Sequence, residues 1–426
     1  MQVIENSKVK EKLYLEKLEN GLTVMIIPKK GMKKKYMIWG TNYGSNENVF
    51  IVPGENRKTE VPNGIAHFLE HKLFEQKNGT NSLDTLTALG VDANAFTTND
   101  TTAYLFSCTD NFYPAMDELM DYVQNPYFTD ENVEREKGII GQEIMMYDDS
   151  PDWQVYLNAV KILYHNHPVK IDVAGTIDSI SKIDKDILYK CYHTFYNVSN
   201  MAIVVSGDFE PENILEEIKK RLKNSEVKGK IQTFYPEEPD TIVKEKIEQK
   251  MEVSRPIYTI GIKVKPTDNP EEMVKRNITI QILLELLVGK SSNLYKELYN
   301  EGVIFGGIGA NYEFSENYAH ILISGQANEP EQVYNRIKQE IARQKQEGIS
   351  EEDFNRIKKK LYGEYVKDYD DIENIANMFL TNYFMGINSF EYLNQMDKID
   401  VEYVTKMLDE VFKEEKMVIS IIKNGK

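Results

Sequence analysis

Residues 63–75 read NGIAHFLEHKLFE, and the reading of the whole chain turns on them. His67 and His71 stand four apart, so on a helix they rise about 6 Å and return to nearly the same face. Two imidazoles then meet over one point, as a zinc ion requires of its ligands. Glu70 sits beside His71, slightly off that stripe, where a carboxylate can reach a metal-held water. The competing reading is two half-buried histidines on an amphipathic helix. With only six histidines in the chain, His-x-x-Glu-His arises by chance in roughly one such sequence in a hundred.

A catalytic zinc needs a third protein ligand and an open position for water. The segment ENVEREKGIIGQEIMMYDD, residues 131–149, supplies candidates on a second helix. Glu136 and Glu143 are seven apart and share a face, with Ile139, Ile140 and Ile144 expected to make the apolar contacts. Position alone does not separate the two glutamates.

Around these helices the first half alternates strand and helix signals. Leu22 to Ile27 and Tyr36 to Trp39 read as strands, and 93–107 reads as two strands about a polar turn at Asn99 and Asp100. Helical periodicity follows around Phe112 to Val123 and Asp130 to Tyr147. The half closes on the strand MAIVVSG and a helix opening at Pro211. The second half repeats this pattern. Phe112, Met116 and Met120 fall in step with Val333, Ile337 and Ile341 at an offset of 221, and the same offset aligns FTDENVEREKGIIGQE (128–143) with ISEEDFNRIKKKLYGE (349–364). Two matches at one offset argue for duplicated domains. Between them NSEVKGKIQTFYPEEPDT, 224–241, carries two prolines and little periodicity, and reads as the linker.

Composition bounds the rest. The 426 residues carry 51 Lys and Arg against 68 Asp and Glu, a formal net charge of −17. Such a chain repels a phosphate backbone, so nucleic acid is not an expected partner. Hydrophobic content of 41% with 11% aromatics excludes a disordered polymer. Apolar runs such as Met201 to Val205 are too short for a bilayer. The opening MQVIENSKVKEKLYLEKLENG lacks a run of signal-peptide length, and its glutamates argue against a mitochondrial presequence. Cys108 and Cys191 are the only cysteines. Two thiols make no disulfide framework and fit a reducing compartment, so the expected location is cytoplasmic. The basic run KKGMKKKY (29–36) reads as a solvated hairpin connection, GKSS (289–292) lacks the glycine of a phosphate loop, and His165 with His167 lacks a third ligand.

With its motifs in place, the chain resembles the inverzincin peptidases, the family of pitrilysin, insulin-degrading enzyme and the mitochondrial processing peptidases, closest to its short bacterial members. His67-Phe68-Leu69-Glu70-His71 has the family's inverted zinc pattern. The glutamate helix follows with 71 residues between His71 and Glu143. Asn94-Ala95-Phe96-Thr97, the later Tyr104 and the strand VVSGDF also match. The resemblance covers the chain, strongly over the first 210 residues and weakly beyond.

It implies Glu143 as the third ligand, one Zn2+ per chain, Glu136 as a nearby supporting carboxylate and Glu70 as the catalytic base. It implies an α+β fold of two homologous domains, each an antiparallel sheet with helices packed on one face, in a clamshell arrangement. The domains would be 1–225, carrying the metal, and 246–426, carrying none, with 226–245 between. It further implies a zinc-dependent endopeptidase acting on unfolded peptides or small precursor proteins inside an enclosed chamber. Substrate would add as a strand beside Asn94 to Thr97, with Asn94 holding the peptide and Phe74 and Phe96 lining an apolar pocket. The alternative from another class is a non-catalytic assembly subunit of the same fold, which need bind no zinc.

One part of the family pattern is missing. Members acting alone or as homodimers carry an Arg and a Tyr, seven apart, in the second half. Here the stretch is SSNLYKELYNEGVIFGG, with Tyr299 at the Arg position and Phe305, six residues on, at the Tyr position. Shifting the alignment by one brings Leu298 to the Arg position and restores neither donor. Loss of one oxyanion donor costs about 10²–10³ in rate. The expected partner is therefore a homologous zinc-less subunit supplying both. A homodimer or monomer using Lys296 or Tyr299 instead is the alternative.

Overall fold

Continuous apolar runs decide the first sheet. Strands buried on both faces lose the alternation of a half-exposed sheet, and Thr23–Pro28 and Met201–Gly207 are buried along nearly their whole length. The computed structural model describes residues 1–223 and 229–425; the opening of the expected linker, 226–228, and the expected boundary at 225 lie outside them.

The chain forms two compact units. The strands in order are β1 (Gln2–Asn6), β2 (Glu11–Lys17), β3 (Thr23–Pro28), β4 (Lys35–Thr41), β5 (Val49–Ile51), β6 (Lys58–Glu60), β7 (Asp92–Thr97), β8 (Thr102–Cys108), β9 (Met201–Gly207), β10 (Gln232–Thr233), β11 (Lys246–Met251), β12 (Ile257–Lys263), β13 (Ile304–Phe314), β14 (Ala319–Ala327) and β15 (Met417–Asn424). The first unit holds a seven-stranded sheet in the order β1-β2-β3-β9-β4-β8-β7 and the small sheet β10-β5-β6. The second holds the five-stranded sheet β11-β15-β12-β14-β13. Pairing is antiparallel throughout except β3 with β9 and β11 with β15, which run parallel. The α+β class and the two like units agree with the sequence reading.

In the first unit the main helical layer covers one face of the sheet. Trp39, Phe106, Phe68, Leu69, Leu119 and Ile140 meet in its core, each excluded from solvent. Burying a side chain of the Phe68 or Leu69 kind is worth about 1.5–3 kcal/mol, so these two seat the motif helix on the sheet. The other face, which alternation assigns to Tyr36, Ile38 and Gly40, packs against the helix Ile372–Phe384. Tyr36 bonds Asn377, and Thr23 bonds Tyr383 at 2.6 Å. The second unit is built alike. Its main core gathers Ile260, Ile321 and Ile419, while the helix Pro151–Leu163 packs on the opposite face against Leu322 and Val418.

The compact units divide the chain differently from the expected domain boundaries. The first unit is Met1–Ile144, Asp172–Tyr235 and Val366–Phe384; the second is Met145–Ile171, Pro236–Tyr365 and Met385–Lys426. Passage from one to the other at Tyr235 and Pro236 falls inside the expected linker. However, each half of the sequence lends one helix to the other unit. Periodicity reports that a helix is amphipathic but not which sheet it covers. The two lent helices lie at the offset of 221 that relates the halves, since it carries Pro151–Leu163 onto Ile372–Phe384.

Candidate metal centre

The motif helix, Ile65–Leu73, starts at Gly64, whose φ of 89° is left-handed and whose Cβ would lie 2.4 Å from the Ala174 carbonyl oxygen. Only glycine suits both demands. From there Ile65, Phe68, Leu69 and Leu73 turn into the core at helical spacing. His67 and His71 are left on the flank, with ring centroids 4.5 Å apart. The second helix, Asp130–Asp148, is seated by Val133, Ile140 and Ile144. Ile139, expected as an apolar contact, is instead 50% exposed, because seven-residue spacing fixes one stripe and Ile139 falls beside it.

His67, His71 and Glu143 each present one ligand atom, and these three atoms lie within 4.8 Å of one another. Glu143 Oε1 is 3.8 Å from His67 Nε2, and its Oε2 is 3.5 Å from His71 Nε2. Ligands about 2.0–2.1 Å from a tetrahedral zinc stand roughly 3.4 Å apart, so the set fits that ion. Burial and the neighbouring His71 push the His67 ring down to about 3, which leaves it neutral and able to donate a lone pair. Its Nδ1 is buried without a hydrogen-bond partner among the described residues, and its Nε2 faces Glu143. His71 behaves differently. Burial lowers its pKa, but Glu136 and the carboxylates of Glu70 and Glu143 outweigh that and raise it. Glu136 Oε1 faces His71 Nδ1 at 3.1 Å, the usual arrangement for fixing a ligand ring.

Glu70 is 8% exposed, and burial raises its pKa against a hydrogen bond that lowers it. That bond comes from Thr97, whose hydroxyl donates to Glu70 Oε2 at 2.6 Å. A buried carboxyl with a raised pKa, within electrostatic reach of His71 and Glu143, has the make-up of a proton-transfer group.

The expected substrate residues are placed unevenly. Asn94, Ala95, Phe96 and Thr97 all lie on β7, which ends the sheet and, among the described residues, pairs only with β8. Asn94 is exposed, its side chain accepting from the Ala95 N–H at 2.9 Å. Phe74 and Phe96 do not come together. The Phe74 ring is buried against Tyr104 and Tyr122, while alternation along β7 turns Phe96 to the face opposite Thr97. Core packing explains Phe74.

Three features escaped the sequence reading. Thr97 bonds the carboxylate of Glu70. Lys72 is fully buried beside Glu75 and Glu136, a pairing hinted at only by its three-residue spacing from Glu75. Arg255 lays its guanidinium 3.9 Å over the Phe305 ring, and nothing in the local pattern announces it. Tyr299, at the expected Arg position, is 57% exposed and stacks on Tyr295.

Two like α+β units, with a His, His and carboxylate set on two helices of the first, have the architecture of the M16 peptidases. The chain belongs to peptidase family M16. Residues 42–177 match the model described as Insulinase (Peptidase family M16), and residues 182–361 match the Peptidase M16 inactive domain. It is similar to the uncharacterized zinc protease YmfH of Bacillus subtilis, 39% identical over 98% of this chain and 97% of that one. An M16-like protein from Alicyclobacillus acidocaldarius superposes with a TM-score of 0.94 at 33% identity, covering 99% of this chain and all of its own. Pitrilysin shares the fold at a TM-score of 0.76 and 18% identity, this chain spanning 46% of it. Among the described residues no helix is long and apolar enough to cross a membrane.

Proposed function

We propose that the chain is a zinc endopeptidase of unfolded peptides, with one Zn2+ held by His67, His71 and Glu143. The observation that carries this is Glu70, a buried carboxyl bonded by Thr97 and close enough to His71 and Glu143 to interact with both. A zinc ion bound there would polarise the scissile carbonyl and bring the pKa of a water toward about 7. Glu70 takes the proton of the attacking water and returns it to the departing amine. Glu136 holds His71 in place. The peptide pairs as an added strand with the open side of β7, near Asn94, giving affinity with little demand on sequence. The unpaired, buried thiols Cys108 and Cys191 favour a reducing compartment, and we place the protein in the cytoplasm.

The working form is a dimer, and the favoured partner is a homologous zinc-less subunit that brings the missing Arg and Tyr. A second reading is supported by Arg255. Its guanidinium rests on Phe305, where the Tyr is expected, so this chain has a cation of its own at that place.

The test is hydrolysis of a quenched, unstructured peptide by the purified chain, with zinc measured on the same sample. Zinc at one per chain and chelator-sensitive cleavage support the peptidase reading. Glu70→Gln is expected to keep its zinc and lose about 10²–10⁴ in rate. A fully active Glu70→Gln protein removes Glu70 from the mechanism, and a zinc-free wild type favours the assembly subunit. Brisk cleavage by the chain alone, lost in Arg255→Ala, selects the self-sufficient enzyme over the heterodimer.

A further inference from the structure

We propose that Lys72 is a positioning residue of the metal centre, holding Glu136 against His71 and fixing the approach of the two helices that carry the ligands. The inference rests on the zinc reading of His67, His71 and Glu143.

Lys72 follows His71 directly and is fully buried. An ammonium withdrawn from water costs several kcal/mol unless counter-charges surround it. Its Nζ lies 2.5 Å from Glu75 Oε2 and 3.6 Å from Glu136 Oε2. Glu136 is thereby gripped at both oxygens, one by Lys72 and the other by His71 Nδ1 at 3.1 Å. With Nδ1 so engaged, His71 presents Nε2 toward Glu143. The network continues, because Glu75 Oε1 accepts from Arg135 Nη2 at 2.7 Å. Arg135 and Glu136 are neighbours on the glutamate helix, while Lys72 belongs to the motif helix. These contacts clamp the C-terminal end of one helix to the other, seven residues before Glu143.

A buried lysine could also serve packing alone, and the two roles separate in experiment. Packing affects the stability of the metal-free protein, whereas positioning affects the metal. Lys72→Met keeps the length and loses the charge; Glu136→Gln removes the group it holds. The full chain is loaded with Co2+ for its visible absorption spectrum, and Zn2+ affinity is read by chelator competition. Thermal unfolding of the metal-free proteins gives the stability control. Lys72→Met is expected to weaken Zn2+ binding about 10- to 100-fold and to change the cobalt spectrum. The double variant Lys72→Met/Glu136→Gln should bind zinc no more weakly than the worse single variant, because both act through one contact.

An unchanged zinc affinity and cobalt spectrum in Lys72→Met overturns the proposal, whatever happens to stability. Additive losses in the double variant overturn it too. If Lys72→Met fails to fold, Glu75→Gln takes its place, with a zinc affinity at least about threefold weaker expected and no change counting against the proposal. A wild-type protein that takes up neither metal defeats the zinc reading itself, a result distinguishable from every variant outcome.

Discussion

Thr97 donates its hydroxyl to Glu70 Oε2 at 2.6 Å, so a residue of the edge strand aims the carboxylate of the motif helix. The same hydroxyl lies 3.3 Å from Thr102 on the neighbouring strand, which limits its freedom. The strand proposed to receive the peptide and the proposed proton carrier are thus one mechanical piece. Thr97→Val, which keeps the branched shape and loses the donor, should lower kcat about 10- to 100-fold, the worth of a hydrogen bond to a charged group. KM and zinc content should stay near wild type, and Thr97→Ser should recover most of the rate. A loss confined to KM would place Thr97 in substrate binding instead.

Gly40 and Gly261 stand 221 residues apart at like places on β4 and β12, and each meets a leucine of the helix lent to its sheet. A Cβ on Gly40 would lie 2.7 Å from Leu380, and one on Gly261 would lie 2.8 Å from Leu163. Gly40→Ala and Gly261→Ala are each expected to cost about 1–3 kcal/mol in urea unfolding, since the core has no room for the methyl. Leu380→Ala should remove most of the Gly40→Ala penalty when the two are combined. Additive losses would mean that the contact is not what excludes the methyl.

What the sequence disclosed depended on spacing along a single element. Two histidines four apart, or two glutamates seven apart, keep their geometry wherever the helix lies. Spacing therefore brought His67 and His71 to one place and set Glu136 and Glu143 on one face, while the preference for Glu143 came from the family resemblance, and offset repetition disclosed two like units. Relations between elements were hidden. The burial of Lys72 and the bond from Thr97 to Glu70 depend on which surfaces meet, and polar residues on a helix flank carry no mark of what will cover them. The lent helices are the sharpest case. Ile372–Phe384 and Pro151–Leu163 have ordinary apolar stripes, and the choice between two similar sheets rests on details such as Gly40 facing Leu380. Ile139 misled for the converse reason, since a helix face inferred from one stripe includes residues at its margin.

Glu238 supplies a pH test away from the metal. Burial alone would raise its pKa, but Lys263 and the backbone N–H groups of Asn166, His165 and His167 pull it down to about 2. The unfolded chain holds its proton up to about 4.5, so the stabilisation is complete above that pH and is lost as pH falls through the folded value. Stability measured in urea should therefore decline between about pH 4.5 and 2. Glu238→Gln should be less stable at pH 7 by about 2–3 kcal/mol, because Lys263, 4% exposed, loses its counter-charge. Its own decline over the acid window should be shallower than that of the wild type. Parallel curves for the two proteins would show that other carboxylates govern the acid limit and that Glu238 contributes only a fixed, pH-independent contact.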